Sequence, residues 1–325
     1  MKNTLFRFFR RWSALGVALL AAAPLHAQQA YPSKPITLIV PFGAGSGTDL
    51  VARPLSQVLT TAYPGAKVII QNEPGASGMI GAGDAAKSPP DGYTLFITTN
   101  TTQSANPHLF KKLPYDPVAD FAPVAALARG SMVLVVPANS PINTVADYIA
   151  AAKKKSLSFG AGNSSSRVAG EMFSQLTGTK LLYVPYKSNN TAVTDLIGGQ
   201  IDSMFADTAT ALPQVKSGKL KAIAFAGDQR STALPNLPTI AEEGVKGYSL
   251  YYWVAVYAPK GTPAAIVDSL NKVLVESVTT KPMIAEFKLA LLDPFTTTPG
   301  GLAKFQETET KRWGEVIRAA GIEPE

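Results

Sequence analysis

Two glycine- and serine-rich stretches hold most of the residues in this sequence suited to gripping a small anion. The first is Pro41-Phe42-Gly43-Ala44-Gly45-Ser46-Gly47-Thr48-Asp49, between the apolar run Ile36–Val40 and a helical stretch from Asp49 to Leu59. Glycines let backbone amides approach a ligand closely, and a helix start offers free N–H groups and the positive end of a dipole. The segment reads as an anion cradle, although an ordinary tight turn uses the same residues. It lacks the lysine of a phosphate-binding loop, and its spacing fails G-x-G-x-x-G.

The second stretch is Gly160-Ala161-Gly162-Asn163-Ser164-Ser165-Ser166-Arg167, again between a strand-like run and a helical one. Three hydroxyls and an arginine at a helix start form another anion-friendly site. The competing reading is a helix cap with a solvent-facing Arg167. Two further segments follow strand-like runs. Thr98-Thr99-Asn100-Thr101-Thr102-Gln103, with Thr102 as its ligand candidate, either lines the same cleft or forms a solvated loop. Asp207-Thr208 either places a carboxylate in the cleft or, as the better reading for an isolated pair, caps a helix.

Catalytic chemistry has little to work with. The chain has two histidines and no cysteine, which excludes thiol catalysis and thiolate metal sites. His26 falls in a leader-like segment, so a Ser-His-Asp triad must use His108, and no G-x-S-x-G elbow is present. His108 reads as a surface or packing residue. No metal or cofactor is expected.

The elements that would position these loops alternate. Strand-like runs at Ile36–Val40, Val68–Ile70, Tyr93–Thr98, Met132–Val136, Leu157–Phe159, Leu181–Val184 and Ile201–Phe205 are mostly separated by helical stretches. Among those stretches are Val145–Lys154, capped by Thr144, then Val168–Leu176, Ala192–Ile197, Ala264–Val278 and Leu302–Ala319. Such alternation implies mostly parallel sheets covered on both faces. In open α/β sheets ligands sit beyond the carboxyl ends of strands, so two facing lobes would bring both loops to one cleft.

Residues 1–27 have the layout of a secretory signal peptide: a basic head, a short apolar run from Ala14 to Ala23, and an exit at Leu25-His26-Ala27. The apolar run is shorter than the about 20 residues that span a bilayer. Cleavage there would lower the formal charge from +7 to +3. The remaining charge, without basic runs interleaved with aromatics, does not point to nucleic acid. Nearly three hundred remaining residues favour two lobes over one.

At this point the blocks match a known family. The chain resembles the Bug family, the substrate-binding components associated with tripartite tricarboxylate transporters, from Tyr31 to about Ile322. The resemblance rests on the glycine-rich block Pro41–Asp49, on Asn72-Glu73-Pro74-Gly75-Ala76 and on Pro89-Pro90-Asp91-Gly92-Tyr93-Thr94-Leu95. It rests also on Leu113-Pro114-Tyr115-Asp116-Pro117, Gly198-Gly199-Gln200-Ile201-Asp202 and Ala258-Pro259-Lys260-Gly261-Thr262-Pro263.

The resemblance implies an α/β type II periplasmic-binding-protein fold with two chain crossings, residues 28–128 and 249–325 forming lobe one and 129–248 lobe two. It implies a periplasmic, monomeric, non-enzymatic receptor for a small carboxylate (dicarboxylate, aromatic acid or amino acid), delivering it to a membrane permease. A receptor that presents its ligand to a sensory system is the close rival, and an exported hydrolase the distant one. The resemblance carries Phe42, Gly43, Ala44, Ser46 and Thr48 as first-loop ligand contacts and Ser164, Ser165 and Ser166 as second-loop contacts.

The sequence departs from the family pattern where ligand identity is set. Arg167 stands where Gln or His is common, Ala206 and Asp207 stand where an acidic or amide pair is common, and two asparagines follow Ser188 where Gly is usual. Arg167 would clamp the second carboxylate of a diacid in bidentate fashion. Asp207 would instead favour an ammonium, ring N–H or hydroxyl. The expectation leans to the diacid.

Overall fold

The computed structural model describes residues 31–231 and 234–325, so the expected leader, residues 1–27, lies outside the described residues. The elements run β1 (Ile36–Val40), α1 (Gly47–Ala62), β2 (Val68–Asn72), α2 (Met79–Lys87), β3 (Thr94–Thr99), α3 (Asn106–Leu109) and β4 (Phe121–Pro137). Next come α4 (Val145–Lys154), β5 (Ser158–Ala161), α5 (Ser164–Thr177), β6 (Leu182–Pro185), α6 (Asn189–Ile197), β7 (Ser203–Asp207), α7 (Thr208–Lys216) and β8 (Leu220–Phe225). The chain finishes with β9 (Tyr251–Pro259), α8 (Ala264–Ser277), α9 (Lys281–Ala290), β10 (Leu292–Pro294) and α10 (Pro299–Ala319).

The apolar strand β1 is buried at Ile36, Leu38, Ile39 and Val40, as expected of a strand with helices on both faces. It runs parallel to β2 on one side and β3 on the other. A second parallel set places β5 between β6 and β7. The joining strands are antiparallel, so the sheet is mixed where parallel pairing was expected. β9 pairs β3 and β4, while β7 and β8 flank the far end of β4. β10 also adds antiparallel to β4.

Strand β4 is the shared element. Its residues up to Ser131 pair with β9, and from Met132 onward they pair with β7 and β8. Register shifts at Pro123/Ala125, Ala126/Ala128 and Leu134/Val135 mark bulges, which bend and twist a strand enough to serve two sheet portions. The return passage lies beside it: Leu250 donates its N–H to the Ala226 carbonyl, 2.7 Å away. We call the β2-β1-β3-β9 side the first portion and the β7-β5-β6-β8 side the second.

Helix ends follow local chemistry. Thr144 caps α4 in a reciprocal box: its Oγ1 accepts from Asp147 N at 3.0 Å, and Asp147 Oδ2 accepts from Thr144 N at 3.1 Å. In α1 the apolar Val51, Ala52, Leu55 and Leu59 form one fully buried stripe. No helix among the described residues is long and apolar enough to cross a membrane.

Candidate functional site

Four helices begin at the junction of the two portions, three of them with a side-chain cap. α1 starts at Ser46, whose Oγ accepts from Asp49 N at 3.3 Å. α5 starts at Asn163, whose Oδ1 accepts from Ser166 N at 2.9 Å. α6 starts at Ser188, and α7 starts at Asp207, whose Oδ1 accepts from Thr210 N at 2.9 Å and from Thr210 Oγ1 at 2.6 Å. Side chains from all four starts line one cavity of about 30 Å³. A buried water needs about 10–15 Å³, so the space exceeds that of a single water.

The first loop is braced from behind. Asp49, fully buried, accepts from Gly45 N and Arg53 Nε through Oδ2, each at 2.8 Å, and from Asn72 Nδ2 through Oδ1 at 3.0 Å. Asn72 Nδ2 also donates to the Phe42 carbonyl at 3.1 Å. The N–H groups of Gly47 and Thr48, the first two of α1, have no hydrogen-bond partner among the described residues. They are therefore available to an anion, as are those of Ser164 and Ser165 at the start of α5.

Asn189 ties the second portion's loops together. Its Oδ1 accepts from Gly162 N at 2.9 Å, and its Nδ2 donates to Asp207 Oδ2 at 2.9 Å and Ser166 Oγ at 3.1 Å. Tyr252, reaching in from β9, is 5% exposed, and its hydroxyl lies beside the Thr208 side chain without meeting hydrogen-bond geometry to any described residue. Burial, and after it the nearby Asp207 charge, push that phenol's pKa far above its ordinary value, so it stays a donor.

The sequence candidates divide on these coordinates. Phe42, Ser46, Thr48, Ser165, Ser166 and Asp207 line the cavity. Asp207 satisfies both of its readings, since it caps α7 and borders the cavity. Gly43 and Ala44 lie beside the cavity rather than on its wall. The Ala44 carbonyl accepts from Asn190 Nδ2 at 2.6 Å, a bond that joins the two portions. Ser164 turns aside and donates to Asn106 Oδ1 at 2.6 Å.

Thr102 is also off the wall. The run Thr98–Gln103 is buried, not a solvated loop. Thr102 shares a 2.7 Å hydrogen bond with Thr98 Oγ1, and its carbonyl accepts from Tyr115 OH at 2.7 Å. From that run only Thr99 reaches the cavity. Asn100 Nδ2, 2.8 Å away, and Thr101 Oγ1, 2.9 Å away, engage Ser165 Oγ across the junction.

Six wall residues were not singled out from the sequence: Gly47, Thr99, Met132, Asn163, Asn189 and Tyr252. Gly47, Thr99 and Asn163 sit inside segments that were, and Asn189 follows Ser188 at a noted departure from the family pattern. Met132 and Tyr252 carry no local signal.

Arg167, the expected diacid clamp, is not among the residues that line the cavity. Its guanidinium stacks 5.0 Å from the Tyr183 ring centroid and donates from Nη1 to Glu325 Oε1 at 2.7 Å. Glu325 is itself pinned to the first portion, donating its N–H to Leu109 O at 3.0 Å and accepting from Lys111 N at 2.8 Å. The pair therefore bridges the two portions. The Glu325 side chain is 58% exposed, so screening limits such a pair to roughly 0.5–1 kcal/mol. Arg167→Ala is expected to weaken every ligand about two- to fivefold, mono- and diacids alike. Titration calorimetry on one acid of each kind checks this, and a loss confined to diacids would restore the clamp.

Comparisons with known proteins identify the family and the fold. The profile described as tripartite tricarboxylate transporter family receptor matches residues 51–322. Protein BugT of Bordetella pertussis (strain Tohama I) is 34% identical over 305 residues, which cover 92% of this chain and 93% of that one. The solved periplasmic binding protein BugD superposes with a TM-score of 0.86 at 32% identity, covering 91% of this chain and 100% of that one. An R. palustris protein solved with adipate gives 0.87 at 34% identity, again covering 91% and 100%. The fold is thus that of the periplasmic binding proteins of this type.

Proposed function

The chain belongs to the tripartite tricarboxylate transporter family of receptors, and from that premise we propose that it captures a small carboxylate in the periplasm for a permease of that transporter type. It is a solute-binding receptor of the Bug type. The observation that carries the ligand class is the meeting of four helix N-termini at one cavity walled by hydroxyl, amide and backbone donors. Each helix start favours negative charge by roughly 0.3–1 kcal/mol. The wall holds no Lys, Arg or His, so the grip comes from dipoles and neutral donors. The adipate in a neighbouring structure supports the same class.

The lobes are taken as residues 28–128 with 249–325 and residues 129–248, hinged where β4 changes partners. The chain acts as a monomer, reaches the periplasm by cleavage after Ala27, and has no catalytic role. His108 supports that last reading: its ring packs against Gly314 and hydrogen-bonds the Thr310 carbonyl at 2.9 Å, engaged in packing rather than at the cavity.

A thermal-shift screen of mono- and dicarboxylates, aromatic acids and amino acids tests the proposal. A cognate acid at a hundred times its Kd stabilises the folded state by about 2.7 kcal/mol, a shift of several degrees. A full panel with no shift would refute the carboxylate assignment.

A further inference from the structure

The cavity that collects helix N-termini already contains a carboxylate of its own. Asp207 lies at the start of α7, and its Oδ1 would be 2.7 Å from a Cβ placed on Gly47, the first residue of α1. Its Oδ2 accepts from Asn189 Nδ2, the group that also reaches Ser166 at the start of α5. Asp207 is thus held by neutral donors alone, and no ion pair neutralises it among the described residues.

This bears on how much further negative charge the site accepts. The free N–H groups of Gly47, Thr48 and Ser165, all on the wall, suit one incoming carboxylate. The remaining wall offers Phe42, Met132 and Tyr252, whose hydroxyl meets strict hydrogen-bond geometry with no described residue and has only the Thr208 side chain beside it. A second anionic group would enter a narrow space without a cation and beside an existing charge, where like charges strongly disfavour one another. A neutral acceptor there meets Tyr252 O–H without that repulsion, and leaving that buried hydroxyl unpaired carries its own desolvation cost.

We infer that the site takes acids bearing a single net negative charge, and that Asp207 is the residue that turns away a second carboxylate while Tyr252 receives a neutral acceptor in its place. This rests on the carboxylate reading above and narrows it.

Amide-for-carboxylate pairs test it directly, because the members differ in charge and hardly in shape. The set is malonamate with malonate, succinamate with succinate, adipamate with adipate, and terephthalamate with terephthalate. Calorimetric titration of the full chain is expected to show the best-bound amide at least tenfold tighter than its diacid. Asp207→Asn keeps a capping oxygen for Thr210 and should bring that ratio to threefold or less. Asp207→Ser, also a good cap, serves the same purpose if the first variant folds poorly. Tyr252→Phe should weaken the amide more than the diacid. A diacid that binds the parent as tightly as its amide, or an Asp207→Asn ratio equal to the parent's, overturns the inference and leaves the carboxylate reading intact. No binding in either series removes both.

Discussion

Gly47→Ala is expected to lose ligand binding by at least about a hundredfold while the unliganded protein melts as the parent does. Gly47 is the first residue of α1, in the first portion. A Cβ there would lie 2.7 Å from Asp207 Oδ1 and 3.2 Å from Ala209 Cβ, both in the second portion. Asp207 cannot swing aside, because Thr210 and Asn189 hold both of its oxygens. The clash exists only when the two portions meet, and nothing within α1 opposes the substitution, since alanine is the better helix former. The proposed hinge relieves it by staying open, which removes the cavity. A hundredfold loss is about 2.8 kcal/mol. Titration calorimetry with the acid found by thermal screening, together with scanning calorimetry of the free protein, reads both quantities. Parent-like affinity would mean that this contact does not limit closure.

Gly162→Ala is the complementary case and should damage folding itself. Its Cβ would fall 1.9 Å from the Ser188 carbonyl carbon and 2.2 Å from Asn189 N, backbone atoms on the same side of the hinge. Opening the lobes relieves nothing. The loop before α5 must separate from the start of α6, breaking the 2.9 Å bond from Gly162 N to Asn189 Oδ1. Overpacking a well-filled site costs about 1–3 kcal/mol and occasionally more. A contact with immovable backbone belongs at the upper end, so we expect about 3 kcal/mol and a melting temperature several degrees lower. Ligand binding should fall as well, because Asn189 also positions Ser166 and Asp207. Chemical denaturation of the free protein separates the variants: Gly162→Ala shifts the midpoint and Gly47→Ala does not. Equal midpoints for both would contradict the assignment of one contact to closure and the other to the fold.

Much of the architecture was legible because it depends on near neighbours. Thr144 is a cap whose partner lies three residues on, and the apolar run at β1 announces itself by composition. α6 was read short, from Ala192, because its asparagine-rich first turn offers no apolar period. For α7 only the cap at Asp207 was legible, because Thr208-Ala209-Thr210-Ala211 with Pro213 has weak helical character.

By itself the sequence determined the family, the alternation of strand and helix, and the two loops whose glycines and hydroxyls start helices at an anion site. These follow from local rules of propensity and capping, which act over a few residues. Which side chains face the ligand was decided only by the tertiary structure. A helix turns about 100° per residue, so the consecutive Ser164, Ser165, Ser166 and Arg167 cannot all look into one cleft. Packing sends Ser164 to Asn106 and Arg167 to Glu325. Met132 and Tyr252 reach the wall because strand pairing sets Met132 opposite Asp207 and Tyr252 opposite Gly130. Those pairings join residues about 75 to 120 positions apart, a distance over which no local pattern carries information.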